Sequence, residues 1–218
     1  MDRKKIDSVM EEMDRYFADR IARFGFTPEG VGWKNAEAQR LRFRVMLDVV
    51  LPRDRSRRVE IHHIGCGMAH MKDFLDEMGL PYIYSGSDAL PRMLEIARTR
   101  HPETAFTPFN LLADPPADKK YDYVVMNGTF HYLASGVSWD EWRDAVREMM
   151  GKAWEMTKTG MAFNLMTDRV DWRDPNLFYV SPAEVIQWVR DLSRLFVLRH
   201  DYWPFEFTFF VYKEGAVD

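Results

Sequence analysis

Residues 59–70 read Val-Glu-Ile-His-His-Ile-Gly-Cys-Gly-Met-Ala-His, a β-forming run that enters a turn with Gly65 and Gly67 two apart. A helical pattern follows, with Phe74, Leu75 and Met78 on one face and Gly79 to close it. Glycine belongs where a backbone must take positive φ or approach a ligand closely, and the helix beyond offers free N–H groups at its positive end. The next strand candidate ends in Gly86-Ser87-Asp88, which puts an acid where a nucleotide ribose presents its hydroxyls. Turn and acid together predict a site for an adenosine-containing cofactor. A dinucleotide fingerprint requires a small residue at position 70. His70 stands there, one place after Ala69, so the spacing disfavours NAD or FAD without removing an NAD-dependent oxidoreductase as an alternative.

The rest of the chain sets this turn in an α/β pattern. Ile6, Val9, Met10, Met13, Phe17 and Ile21 recur at three- and four-residue steps and predict a helix over 2–24, closed by Gly25. Ala38, Leu41, Val45 and Val49 predict a second helix over 35–51, stopped by Pro52. From residue 58 onward strand candidates at 59–64, 82–85, 105–109, 121–126, 161–165, 196–200 and 207–212 alternate with helices. Ser138 with Glu141, and Ser181 with Pro182 and Glu184, read as capping boxes, the first opening a helix that runs to about 157. Alternation of this kind implies a mostly parallel sheet covered on both faces. Only residues 201–206 join the last two strands, too few for a crossover helix, so the final strand should run antiparallel to its neighbours.

Composition narrows the class of function. One cysteine excludes a disulfide framework and a cysteine-rich zinc site, and fits a reducing compartment. No apolar run has membrane-spanning length, and the charged N-terminus lacks a signal-peptide core. Thirty Lys+Arg against 34 Asp+Glu give a net charge of −4, with the signs interspersed, whereas nucleic-acid binders carry a basic face. The densest basic cluster, Arg53, Arg55, Arg57 and Arg58, is broken by Asp54 and followed by Glu60, and reads as a solvated connection. The expectation is a cytoplasmic protein that handles small molecules, with no nucleic-acid or membrane partner. Assembly into a homo-oligomer is left open.

Four segments in series now carry a family resemblance: HHIGCGMAH, GSDALPRMLEIAR, FNLLADPP and YDYVVMNGTFHYL, within residues 59–133. In order and spacing the chain resembles a class I S-adenosylmethionine-dependent methyltransferase. VGWKNAEAQRLRF also resembles the pre-core helix of small-molecule members. The resemblance implies a Rossmann-like three-layer sandwich, a seven-stranded mostly parallel sheet with one antiparallel C-terminal strand, preceded by N-terminal helices. It also implies one methyltransferase domain over 1–218, with 1–57 a helical cap and 58–218 the core.

Carried over position by position, the resemblance puts Gly65, Cys66 and Gly67 against the methionine part of S-adenosylmethionine. It gives Asp88 both ribose hydroxyls and sets Ala89 and Leu90 beside the adenine. Asn110, where the family often has Asp, meets the adenine amino group, with Leu111 next to it. Asn127 and Gly128 border the methionine and methyl group, while Trp33 and Arg42 close over the cofactor, Arg42 as a candidate partner for its carboxylate. Where many members have an acid near the cofactor's amino group this chain has His63. Protonation near the usual histidine pKa predicts weaker cofactor affinity below about pH 6.5, unless His62 and His63 are ordinary strand residues.

Methyl transfer from a sulfonium is an in-line displacement that needs the acceptor lone pair about 3 Å from the methyl carbon, and a dry pocket favours the loss of charge. A hydroxyl or protonated amine acceptor needs a base as well. His131, on the turn after the fourth strand, is the first candidate, with Tyr132 adjoining it; His200 and Tyr202 are weaker ones. Candidate acceptor-binding residues are Trp172 and Tyr179 in the irregular 167–180 segment, and Tyr202, Trp203 and Phe205 in the C-terminal connection. The bland alternative for Trp203 and Phe205 is packing at the sheet edge. No acid follows the fourth strand, so no catalytic metal is expected. The sequence reading is methylation of an oxygen or nitrogen of a small metabolite. A catalytically silent methyltransferase-like subunit and a protein or RNA methyltransferase stand beside it as alternatives.

Overall fold

The computed structural model describes residues 1–217. Its first helix, α1 (Arg3–Phe24), is capped by the Asp2 carboxylate, which accepts from the Lys5 amide at 2.8 Å, and ends where Gly25 turns to φ 61°. The second, α2 (Ala36–Leu47), is capped by Asn35 and stops one turn short of the predicted residue 51. Residues 48–51 turn into a short 3-10 segment, Pro52–Asp54. In the basic connection beyond it, Arg57 pairs with Asp54 and Arg55 donates to the Val50 carbonyl.

The core alternates as the pattern requires: β1 (Glu60–Ile64), α3 (His70–Glu77), β2 (Ile83–Asp88), α4 (Pro91–Arg100), β3 (Ala105–Pro108), β4 (Tyr121–Met126), α5 (Trp139–Glu155), β5 (Thr157–Thr167), β6 (Tyr179–Val180), α6 (Pro182–Leu192), β7 (Leu195–Arg199) and β8 (Glu206–Tyr212). The strands lie in the order β3-β2-β1-β4-β5-β8-β7, and β6 adds to β5 off this path. All pairs are parallel except those of β8, which runs antiparallel to both β5 and β7. The sheet therefore has eight strands, not seven. The extra one is two residues long, and a stretch that short offers no alternation to read. It pairs with a β5 that runs from 157 to 167, well beyond the predicted 161–165, so α5 ends at Glu155.

Side-chain alternation sorts the sheet into two cores. Val124 and Met126 of β4 and Phe207, Phe209 and Val211 of β8 face α5 and α6. Tyr123 and Val125, with Phe210 and Tyr212, face α2, α3 and α4. The Ser138–Glu141 capping box is complete. The second box is not: Ser181 Oγ accepts from the Ala183 amide, and Pro182 opens the helix without Glu184 returning to the cap. The C-terminal ends of β1, β2, β4 and β5 converge on one edge, where ligands bind in open parallel sheets. Because β8 is antiparallel, its register, with Met166 opposite Glu206, delivers the start of β8 to that same edge.

Candidate active site

Backbone geometry shapes one side of this edge. The amides of Gly65 and Cys66 both donate to the Ser87 carbonyl, at 2.8 and 2.9 Å, pinning the turn to the end of β2. Gly65 sits at φ 73°, and a Cβ on it would lie 2.7 Å from Thr129 Oγ1, which itself donates to the Ile64 carbonyl. A Cβ on Gly86 would strike the Cys66 side chain at 2.8 Å. Ala69, at φ 65°, carries the turn into α3. The Asp88 carboxylate braces two loops at once, accepting from the Gly67 amide at 2.8 Å and the Leu90 amide at 2.9 Å. Burial raises its pKa while these amides oppose the shift. Burial and the neighbouring Asp88 push the Cys66 thiol up, so it stays protonated and does not serve as a nucleophile.

Beside this cradle opens a cavity of about 560 Å³, within the range of small-molecule sites. Met10, Met13, Tyr16 and Phe17 of α1 line it, together with Trp33, Trp172, Leu177 and Trp203. Ion pairs and hydrogen bonds hold α1 over the opening: Lys5 with Glu141 at 2.5 Å, Asp14 with Arg92 at 3.3 Å, and Glu12 receiving the Tyr132 hydroxyl at 2.6 Å and the Ser135 amide at 2.9 Å.

The floor is a buried polar network. Glu206 Oε1 accepts from Arg42 Nε at 3.1 Å, Asn164 Nδ2 at 2.9 Å and the Tyr202 hydroxyl at 2.9 Å. Asn164 Nδ2 also reaches Asn127 Oδ1, and Asn164 Oδ1 receives the Gly128 amide at 2.7 Å, which fixes the orientation of its amide group. Arg42 donates further to the Ala38 carbonyl and lies over the rings of Trp33, Tyr202 and Trp203. Its charge is thus matched by Glu206.

Four histidines sit at or behind the wall. His62 faces away, stacked on Tyr121 and bonded to Ser85 and Ser87; burial lowers its pKa to about 4. His63 faces the cavity, its Nδ1 3.1 Å from the Tyr84 hydroxyl and its buried Nε2 without a partner. Burial, aided by His62, lowers its pKa to about 3, so the protonation expected near pH 6.5 does not occur at this position. His70 stacks on Phe26 and is likewise lowered to about 4 by burial. His131 is buried against Trp33, with Nε2 4.0 Å from Glu206 Oε2. Burial lowers its pKa, while Glu206 and the Asn164 main-chain carbonyl oppose the shift.

A family model described as a methyltransferase domain matches residues 61–151. A Mycobacterium tuberculosis (strain ATCC 25618 / H37Rv) protein named "Putative methyltransferase Rv1506c" is 31% identical over 159 residues, spanning 70% of this chain and 92% of that protein. The chain belongs to the class I S-adenosylmethionine-dependent methyltransferases. Solved structures agree on the fold. Magnesium protoporphyrin IX methyltransferase from Synechocystis PCC 6803 with bound S-adenosylhomocysteine superposes with a TM-score of 0.64 at 13% identity, over 96% of this chain and 99% of that one. The DhpI complex with S-adenosylhomocysteine gives 0.64 at 15% identity, over 94% and 96%. Both neighbours hold S-adenosylhomocysteine, and a second structure of the Synechocystis enzyme holds S-adenosylmethionine.

The methyltransferase's cavity gathers Trp33, Arg42, Gly65, Cys66, Gly67, Asp88, Ala89, Leu90, Asn110, Leu111, Asn127 and Gly128, together with His131, Tyr132, Trp172 and Trp203. Three expected acceptor residues are not on it. Tyr179 is buried in β6, its hydroxyl receiving the Asp174 amide. The Tyr202 hydroxyl is taken by Glu206 and Thr208, and Phe205 packs edge-on against Trp203. His200 bonds the Pro204 carbonyl outside the cavity. The Tyr132 hydroxyl is committed to Glu12, and burial together with that bond raises its pKa, so it is a poor base. Asn110 Oδ1 already accepts from the Leu112 amide, and Asp114 takes the Asn110 amide, a small local turn that the motif comparison did not foresee. The sequence reading also missed Asn164 and Glu12. A polar residue inside the apolar strand Met161–Leu165 was the available signal for Asn164.

Proposed function

We propose that this methyltransferase moves a methyl group from S-adenosylmethionine to an oxygen or nitrogen of a small-molecule metabolite. The observation that carries the reading is the continuity of one cavity: it runs from Asp88 and the glycine turn to an aromatic end walled by Trp33, Trp172 and Trp203. The cradle suits the cofactor. The Asp88 carboxylate oxygens have more lone pairs than the amides they accept from, so acceptor capacity remains for the ribose hydroxyls. His63 Nε2 is a buried, partnerless polar atom in the wall, and the neutral ring tolerates an ammonium group beside it.

In this reading Gly65, Cys66 and Gly67 hold the methionine portion and Asp88 the ribose. Ala89, Leu90, Asn110 and Leu111 enclose the adenine, and Asn127 and Gly128 lie beside the methyl group. When bound, the cofactor supplies an electrophilic methyl on a positively charged sulfur. The chain's contribution is to exclude water with α1 and the three tryptophans, to aim the acceptor, and to take its proton at His131 where it carries one. The polar floor is neutral as a whole, Arg42 being matched by Glu206, which suits an acceptor of low charge.

The test is release of S-adenosylhomocysteine with panels of phenols, amines and carboxylic acids. Turnover with a small molecule supports the reading; turnover confined to a protein or RNA acceptor overturns it.

A further inference from the structure

Glu206 is a carboxylate buried in the cavity floor, and its two oxygens are used unequally. Oε1 accepts three hydrogen bonds, from Arg42, Asn164 and Tyr202. Oε2 has none of these donors and points to His131 Nε2 at 4.0 Å. His131 Nε2 is itself buried without a hydrogen-bond partner. On the other side of the ring, Nδ1 lies 3.8 Å from where a Cβ on Gly128 would sit. Gly128 is the residue bordering the methyl group in the reading above. Catalytic hydrogen bonds are commonly long before substrate binds and tighten in the loaded site.

We propose that Glu206 is a positioning residue that holds His131 as the Nε2–H tautomer, so that Nδ1 accepts the proton of a hydroxyl acceptor as that oxygen is methylated. The inference rests on the methyl-transfer reading of this cavity. The acceptor's O–H bond breaks, the proton goes to Nδ1, and the electron pair left on oxygen forms the new bond to the methyl carbon as the carbon–sulfur bond breaks, its pair remaining on the sulfur of the departing S-adenosylhomocysteine. The positive charge that leaves the sulfur arrives on the imidazole. There the Glu206 carboxylate and the Asn164 carbonyl favour it, while burial and the Arg42 guanidinium, bonded to Glu206 and Ala38, oppose it. Such a pair is superfluous for an amine that arrives deprotonated, and it serves an uncharged hydroxyl, whose proton must be removed. The acceptor class that follows is a neutral hydroxyl compound, with Trp33, Trp172 and Trp203 suited to a planar one.

The network makes a sharp test possible. In Glu206→Gln the three donors around Oε1 keep the amide carbonyl in place, so the amide NH2 replaces Oε2 and donates to His131 Nε2. The ring must then carry its proton on Nδ1. The measurement is the 15N spectrum of histidine-labelled full-length protein with S-adenosylhomocysteine, alongside calorimetry of that ligand. Wild type is expected as Nε2–H, and Glu206→Gln as Nδ1–H, each in folded protein with the ligand bound. Bound ligand with a wild-type His131 that is Nδ1–H or mixed overturns the inference alone, and this arm needs no variant to fold. A folded Glu206→Gln protein that keeps Nε2–H also overturns it. Failure of wild type to bind S-adenosylhomocysteine overturns the cavity reading, and this inference with it.

Discussion

The two ends of the cavity are built on different principles. The cofactor end is backbone: a turn pinned by two amides to Ser87, glycines where a Cβ would collide, and one carboxylate bracing the amides of Gly67 and Leu90. Its parts lie within residues 65–90, and each requirement can be met by few residue types. The acceptor end is side chain. It draws Tyr16, Trp33, Arg42, His131, Trp172, Trp203 and Glu206 from segments spread over nearly the whole chain, joined by a buried ion pair. A shared cofactor demands a fixed cradle, and a particular acceptor demands only that distant side chains meet.

The largest effect should come from breaking the acceptor end's ion pair. Arg42→Met leaves the Glu206 charge buried without its cation, which costs about 3–5 kcal/mol. Denaturant unfolding should show that loss, and a melting temperature lower by roughly 10 °C. If Arg42→Met unfolds like wild type, the floor network is not what organises this end.

At the cofactor end, Asp88→Ala removes two charge-assisted ribose bonds and the brace on Gly67 and Leu90. Each such bond is worth about 1.5–3 kcal/mol, so S-adenosylhomocysteine affinity should fall at least about tenfold by calorimetry. Unchanged affinity in a folded variant would remove the ribose role. Trp172 sharpens the contrast because it is 73% exposed at the mouth. Trp172→Ala should leave stability and S-adenosylhomocysteine affinity unchanged and raise the acceptor KM by about three- to tenfold, the worth of an aromatic wall. A loss of cofactor affinity instead would mean that the two ends are not separable.

The smallest effect concerns pH. Unfolding exposes His62 and His63 to water, where they take up protons below about pH 6.5. The folded protein keeps them neutral down to about 4 and about 3. The unfolded state then binds more protons in that window, so their contribution to stability is flat above about pH 6.5 and is lost as the pH falls below it. His63→Gln should flatten part of that slope in melting curves. Because His63 stays neutral, the variant and wild type should show the same change in S-adenosylhomocysteine affinity between pH 7.5 and 5.5. A wild-type affinity that alone weakens below pH 6.5 would restore the charged His63 that the structure removes.

Legibility in the sequence followed the same division. The glycine turn, Asp88, the strand alternation and the reversal of the last strand are local rules, each stated by a few neighbouring residues. Their boundaries slipped where packing extended β5 to residue 167 and ended α2 at Leu47. Tyr179, Tyr202 and Phe205 were expected in the cavity because aromatic residues cluster there in sequence. The bond of the Tyr179 hydroxyl with the Asp174 amide, that of Tyr202 with Glu206, and the packing of Phe205 on Trp203 turn them elsewhere. The roles of Glu206 and Asn164 could not be read from sequence because, Tyr202 apart, the partners of their side chains stand 36 and more residues away. Only the register of β8 on β5 brings them together.

A crystal structure of the wild-type protein with S-adenosylhomocysteine tests the central claim most directly. The account predicts ribose hydroxyls on Asp88, adenine between Leu90 and Leu111, and the sulfur beside Gly128, facing His131 and the aromatic end of the cavity. Adenosine bound elsewhere, or a sulfur turned away from His131 and Trp203, would contradict it.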